Sequence, residues 1–140
     1  MPELNVLVVD DEPAVRQVLA AAIAKAGYAV ESAASAAEAL AKLDKTPVDV
    51  VLSDVFMPIT DGIELLRQAR ARGHSATFIM VTAFASVDSA IEAIKAGAWD
   101  YITKPVRNEE ILHRLEQIDA MRGLREENKA LRSLVRGSSQ

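Results

Sequence analysis

Val50-Val51-Leu52-Ser53-Asp54-Val55-Phe56-Met57-Pro58 is an apolar run that ends in a single carboxylate, followed by a bulky segment closed by proline. A short apolar run bounded by turn signals suits a strand buried on both faces. Asp54 then emerges at the carboxyl end of that strand, the edge where open α/β sheets bind their ligands. The carboxylate is open to three readings there: a metal ligand, a nucleophile, or the first residue of a loop. Groups delivered to the same edge by other strands decide among them.

Working outward, Leu4 to Val9 reads as an earlier buried strand, rich in β-branched residues, that runs into Asp10-Asp11-Glu12. Pro13 fits the first turn of a helix, whose apolar residues Val15, Val18, Leu19, Ala22 and Ile23 recur at helical spacing before Gly27. Tyr28 to Ala33 makes a second strand, and Ser35 with Glu38 is a capping-box signature for the next helix. After the Asp54 strand, Asp61-Gly62 marks a turn, and Ile63, Leu65, Leu66 and Ala69 continue as a helix ended by Gly73.

Thr77 to Thr82 is the fourth strand. Ser86 to Ala96 is a helix with Val87, Ala90, Ile91 and Ile94 on one face and Gly97 as its cap. Trp99 to Thr103 is a fifth strand, stopped by Lys104-Pro105, and Asn108 opens a last helix with Glu109 and Glu110 in its first turn. Strands alternating with helices over crossovers of this length predict an α/β fold, a parallel sheet covered on both faces.

The chain has 140 residues, half of them hydrophobic, enough for one domain with a core and too few for two ordinary ones. A net charge of -4 speaks against direct nucleic-acid binding, and the lack of cysteine excludes disulfides and thiolate zinc sites. No signal peptide and no membrane-length apolar run is present in the sequence, so the expectation is a cytoplasmic protein with no membrane partner.

The last helix outruns the domain. Ile111, Leu115, Ile118 and Met121 can cover a sheet, but the pattern continues through Leu124, Asn128, Leu131 and Val135 with charges between, as in a coiled-coil seam. The expected division is a domain over 1–122 and a helical linker over 123–140, read as a coiled coil that makes a homodimer with a solvated tail helix as the alternative, the whole being the regulatory fragment of a longer protein.

In this architecture Asp10, Asp11, Asp54, Thr82 and Lys104 all stand at carboxyl ends of strands and face one crevice. Three carboxylates repel one another and need a cation; oxygen ligands alone favour a hard ion such as Mg2+. Lys104 adds a fixed positive charge and Thr82 a hydroxyl donor for a phosphoryl oxygen. In such a setting a carboxylate can attack a phosphoryl group and become an acyl phosphate. Singly, each residue has an ordinary reading, a helix cap for Asp10-Asp11 or a surface charge for Lys104. Their convergence on one edge does not. His74 and His113 are expected at the surface, away from the crevice.

VLVVDDEP, VVLSDVFMPITDG, FIMVTAF and AGAWDYITKP together resemble the receiver domain of two-component response regulators, over Leu4 to about Met121. The resemblance implies a flavodoxin-like, doubly wound five-stranded parallel sheet of order 2-1-3-4-5 with five helices. It implies that Asp54 is the phosphoacceptor and a sensor histidine kinase the donor. Asp11 and Asp54 would ligate Mg2+ with the backbone carbonyl of Phe56, and Asp10 would act mainly through water. Thr82 and Lys104 would hold the phosphoryl group, Tyr101 would be the aromatic whose rotamer accompanies activation, and Lys104-Pro105 would be cis.

TAFASVDSAIEAIKAGAWDYITKP followed by LREENKALRSLV further resembles the nitrogen-regulatory class of sigma-54 activators, which implies attached ATPase and DNA-binding domains. No G-x-x-x-x-G-K-[ST] occurs in this chain. Phe56 and Phe84, two places after Asp54 and Thr82, flank the approach of an attacking water and are expected to slow loss of the phosphoryl group.

Two other functions use the same crevice. A stand-alone shuttle binding a separate target would be monomeric. A Mg2+-dependent phosphohydrolase would need a second carboxylate two residues past its nucleophile, where Phe56 stands. A dinucleotide-binding domain is excluded because the first strand leads into Asp-Asp-Glu-Pro without the glycines that admit a pyrophosphate.

Overall fold

A computed structural model describes residues 4–138, and side chains as far as Gly123. Strand β1 (Asn5–Val9) is followed by α1 (Pro13–Lys25), β2 (Ala29–Ala33), α2 (Ala36–Lys45), β3 (Val50–Ser53) and α3 (Gly62–Ala71). Then come β4 (Thr77–Thr82), α4 (Val87–Ala96), β5 (Asp100–Thr103) and α5 (Asn108–Ser138). All strand pairs are parallel, in the order β2-β1-β3-β4-β5. Fold class and strand order are those expected from the sequence.

The central strands are apolar throughout because both faces are covered, and their side chains divide by the two-residue period of the pleat. Leu7, Val9, Val51, Phe78 and Met80 point to one face, where α2, α3 and α4 add Leu40, Leu66, Ala93 and their neighbours. Val6, Val8, Val50, Leu52, Ile79 and Val81 point to the other, which α1 and α5 cover with Leu19, Ile23, Ile111, Leu115 and Ile118.

Helix ends carry the chemistry their sequences signal. Ser35 accepts a hydrogen bond from the Glu38 amide. Asp61, expected in a turn, is the N-cap of α3 and accepts from the Glu64 amide at 2.8 Å. Its neighbour Gly62 is obligatory for another reason: a Cβ there would lie 2.1 Å from the Asp54 carbonyl oxygen and 2.9 Å from Ser53 Oγ. The start of α3 can approach the end of β3 only through glycine. Helix α5 begins at Asn108, one residue earlier than an Asn108 cap would have it, with the Glu110 amide bonded to the Arg107 carbonyl.

Two features depart from a simple amphipathic reading. The apolar residues of α4, Val87, Ile91 and Ile94, face outward and are 75%, 48% and 52% exposed. Small Ser89 and Ala93 turn to the sheet instead. Helix α5 runs unbroken to Ser138, and Arg122 ties it to the base of the sheet through the Ser75 carbonyl and Thr77 hydroxyl, both at 3.1 Å. The seam side chains Leu124, Asn128, Leu131 and Val135 lie outside the described residues.

Candidate functional site

The parallel ladder continues one residue past β1 and β3. The Asp10 amide bonds to the Ala33 carbonyl and the Asp54 amide to the Val9 carbonyl, which fixes both acidic residues side by side at the carboxyl edge. Ser53 pairs with Met80 and Thr82 with Thr103, so β4 and β5 bring Thr82 and Lys104 to the same edge. The Lys104 amide bonds to the Thr82 carbonyl at 2.8 Å, and the Lys104–Pro105 peptide is cis.

Carboxylate oxygens of Asp10, Asp11 and Asp54 lie within 4.8 Å of one another. Asp10 is buried and Asp11 exposed. The Lys104 ammonium donates to Asp10 Oδ2 at 2.9 Å and to Asp54 Oδ2 at 3.4 Å, bridging strands separated by most of the chain. Asp10 Oδ1 accepts from the Glu12 amide at 2.9 Å, and Arg16 holds the Asp10 carbonyl at 2.7 Å. Asp54 Oδ1 accepts from the Phe56 amide at 3.3 Å, which brings the Phe56 peptide to the rim.

Burial pushes the Asp54 carboxyl above the ordinary carboxylate range; Lys104 pulls it down and Asp10 pushes it up, and the balance is upward. For Lys104, burial alone would lower the ammonium. The hydrogen bond to Asp10 and the charges of Asp54 and Asp10 outweigh burial and raise it. The crevice thus holds a firmly protonated lysine whose attraction for Asp54 exceeds the repulsion from Asp10, and burial is what keeps the Asp54 carboxyl raised.

Thr82 is fully buried, and its hydroxyl accepts from the Phe84 amide at 3.2 Å. Tyr101 is half-buried against the α4 side of the core, and its hydroxyl is hydrogen-bonded to Ser89. Sequence reasoning found Tyr101 but missed Ser89, whose only signal is its place three residues after the cap Ser86. It missed Arg16 as well, one helical turn past Pro13. His113 is exposed, and His74 pairs with Asp44 at 2.7 Å on the surface between α2 and α3.

An all-oxygen donor set of two carboxylates around a buried third suits a hard divalent cation such as Mg2+, and the residues present fit one. The model of the response regulator receiver domain matches residues 6–116.

This chain belongs to the response regulator receiver family.

Response regulator MprA of Mycobacterium sp. (strain KMS) is 39% identical over 115 residues, 82% of this receiver and 50% of MprA. C4-dicarboxylate transport transcriptional regulatory protein DctD of Rhizobium meliloti is 33% identical over 136 residues, 97% of this receiver and 30% of DctD. The chain therefore spans half or less of the curated relatives it matches. Among solved structures, chemotaxis protein CheY4 of Vibrio cholerae superposes with a TM-score of 0.79 at 35% identity, covering 83% of this receiver and 98% of CheY4. A CheY-like receiver of Methanospirillum hungatei JF-1 gives 0.80 at 34%, covering 86% and 97%. Among the described residues no helix is long and apolar enough to cross a membrane.

Proposed function

We propose that this receiver accepts a phosphoryl group on Asp54 from a phosphohistidine of a sensor kinase and passes the change to an attached output. The observation that carries it is the Lys104 ammonium bridging Asp10 and Asp54 inside a three-carboxylate cluster. An Asp54 carboxylate oxygen attacks phosphorus, the phosphorus–nitrogen bond breaks, and its electron pair leaves with the imidazole. An acyl phosphate results.

Asp10, Asp11, Asp54 and the Phe56 carbonyl are the groups that would hold Mg2+. When bound, the ion neutralises the carboxylates and the phosphoryl oxygens. Lys104 then exchanges a carboxylate oxygen for a phosphoryl oxygen, and the Thr82 hydroxyl donates to another. Turning Thr82 toward Asp54 takes its hydroxyl from the Phe84 amide and opens space beside Tyr101, which biases α4 and β5 between two packings.

A groove of about 500 Å³ lined by Ala14, Val15, Val18, Leu19, Pro105 and Val106 opens beside Lys104. An apolar groove at the mouth of the crevice suits docking of a kinase helix that presents its phosphohistidine. The outward apolar face of α4 is the output surface.

The domain ends near 122, and residues 123–140 are the linker through which the receiver dimerises. For the output itself we infer a transcription-activating ATPase followed by a DNA-binding domain, of the nitrogen-regulatory class. The DctD similarity supports this, since it extends over 97% of the chain and so into the tail. The higher identity to MprA, restricted to 115 residues, favours a second reading in which the same receiver drives a different transcriptional output.

Incubation with acetyl phosphate and Mg2+ tests the phosphoacceptor reading. Intact mass should rise by one phosphoryl group, removable with hydroxylamine, and neither Asp54→Asn nor metal-free protein should gain it. Unlabelled wild-type protein would refute it. Light scattering on the same samples reads the dimer: a monomer under both conditions would refute the linker reading.

A further inference from the structure

We propose that Ser89 couples the placement of Tyr101 to the capping of α4, so that the β5 aromatic and the first turn of the output helix change together. Ser89 stands at the third position of α4, is 8% exposed, and forms a reciprocal cap with Ser86. Its amide donates to Ser86 Oγ at 3.1 Å, and the Ser86 amide donates back to Ser89 Oγ at 3.3 Å. The Tyr101 hydroxyl is bonded to that same Ser89 oxygen.

The Ser89 hydroxyl serves both elements at once. It accepts from the Ser86 amide and from the Ser86 hydroxyl at 2.9 Å, and it can donate to the Ser86 carbonyl at 3.3 Å. It is also bonded to the Tyr101 hydroxyl, with either oxygen able to donate. Ser89 is thus shared between its own helix and β5. A tyrosine that turns away withdraws one partner from the cap, and a cap that opens takes the partner from the tyrosine.

The middle of α4 is seated separately, by fully buried Ala93 in the core, with the exposed Arg67–Glu92 ion pair at 3.1 Å adding little. Release at Ser89 therefore acts on the first turn, ahead of the buried Ala93 contact. That turn carries Val87, and the next carries Ile91, both on the exposed apolar face. The link from one buried hydroxyl pair to the output surface is direct. It rests on the reading of Tyr101 as the residue that moves on phosphorylation.

The test is a double-mutant cycle on amide exchange at Ser86 and Ser89, with wild type, Ser89→Ala, Tyr101→Phe, the double variant and Ser89→Thr. Loss of one hydrogen bond should speed exchange in Tyr101→Phe by about two- to tenfold. No further effect of Tyr101→Phe should occur in the Ser89→Ala background, and Ser89→Thr should restore slow exchange. An equal effect of Tyr101→Phe in both backgrounds, or none in either, overturns the coupling.

A beryllofluoride titration with Mg2+, followed by Trp99 fluorescence, supplies a readout that capping alone would not move. Both single variants should shift the midpoint by the same factor and the double variant no further. A wild-type midpoint in Ser89→Ala would overturn the proposal. Failure of wild type to bind beryllofluoride would refute the phosphoacceptor reading instead, and the exchange cycle would still decide the coupling.

Discussion

The rings of Phe56 and Phe84 meet edge to face, with centroids 6.2 Å apart and planes at 77°. Their backbone amides hold Asp54 and Thr82 respectively, so the pair joins the two loops that carry the candidate acceptor and its hydroxyl neighbour. Both rings are substantially exposed; with Asp54 as the phosphoacceptor, as proposed above, they would present apolar carbon to a water approaching its phosphoryl group.

Replacing either ring by a small polar side chain should therefore speed loss of the phosphoryl group. An acceleration of about tenfold, equivalent to about 1.4 kcal/mol of barrier, is expected for Phe56→Ser and for Phe84→Ser. The phosphorylated fraction followed by intact mass after removal of acetyl phosphate measures it. Unchanged lifetimes in both variants would separate the aromatic pair from hydrolysis.

Lys104 is what makes the acidic cluster tolerable without metal. Lys104→Met should leave buried Asp10 and partly buried Asp54 beside each other and uncompensated, lowering stability by about 3 kcal/mol. Because the deficit is one of charge, Mg2+ should recover much of it. Urea unfolding with and without Mg2+ checks both halves of the statement.

The raised Asp54 carboxyl fixes a pH dependence. A carboxyl whose folded pKa lies above its unfolded value favours folding below the unfolded pKa, and that advantage is lost as pH rises through the folded pKa. At neutral pH the Asp54 charge thus weighs against folding in metal-free protein. Asp54→Asn should melt higher than wild type at pH 7 without metal, and the gap should close as pH falls through the raised Asp54 pKa. Thermal melts across that range, with no gap at pH 7 or a gap that widens in acid, would contradict it.

Gly62→Ala should be costly out of proportion to one methyl group. The added carbon meets backbone at 2.1 Å, so the start of α3 or the end of β3 has to move. A loss of about 1–3 kcal/mol is expected from such overpacking, together with weaker phosphorylation because the peptide that moves is that of Asp54. Chemical denaturation and acetyl phosphate labelling measure the two effects.

The parts of the structure that the sequence announces are those where one residue type has one destination. The runs Val6 to Val9, Val50 to Leu52 and Phe78 to Val81 are apolar on both pleat faces, which only a covered sheet accommodates. The polar residues that end them, Asp10, Asp54 and Thr82, follow from that placement. Helix α4 was legible as a helix but not in its orientation. Spacing groups Val87, Ile91 and Ile94 on one side without saying whether that side meets the sheet, and here the sheet takes Ser89 and Ala93. Asp61 read as turn chemistry because an N-cap and a turn favour the same short polar residues. The Tyr101–Ser89 and Arg122–Thr77 bonds join elements whose contact depends on how helices settle against strands, which no local pattern encodes.

The identity of the residue that carries phosphate is the claim on which the rest depends. Protein labelled with acetyl phosphate and Mg2+, reduced with borohydride and digested, converts an aspartyl phosphate to homoserine that peptide mass spectrometry can place. Homoserine at position 54 alone is the expected result. Homoserine at position 10 or 11, or at none of the three, would contradict the assignment of Asp54 and with it the switch built around it.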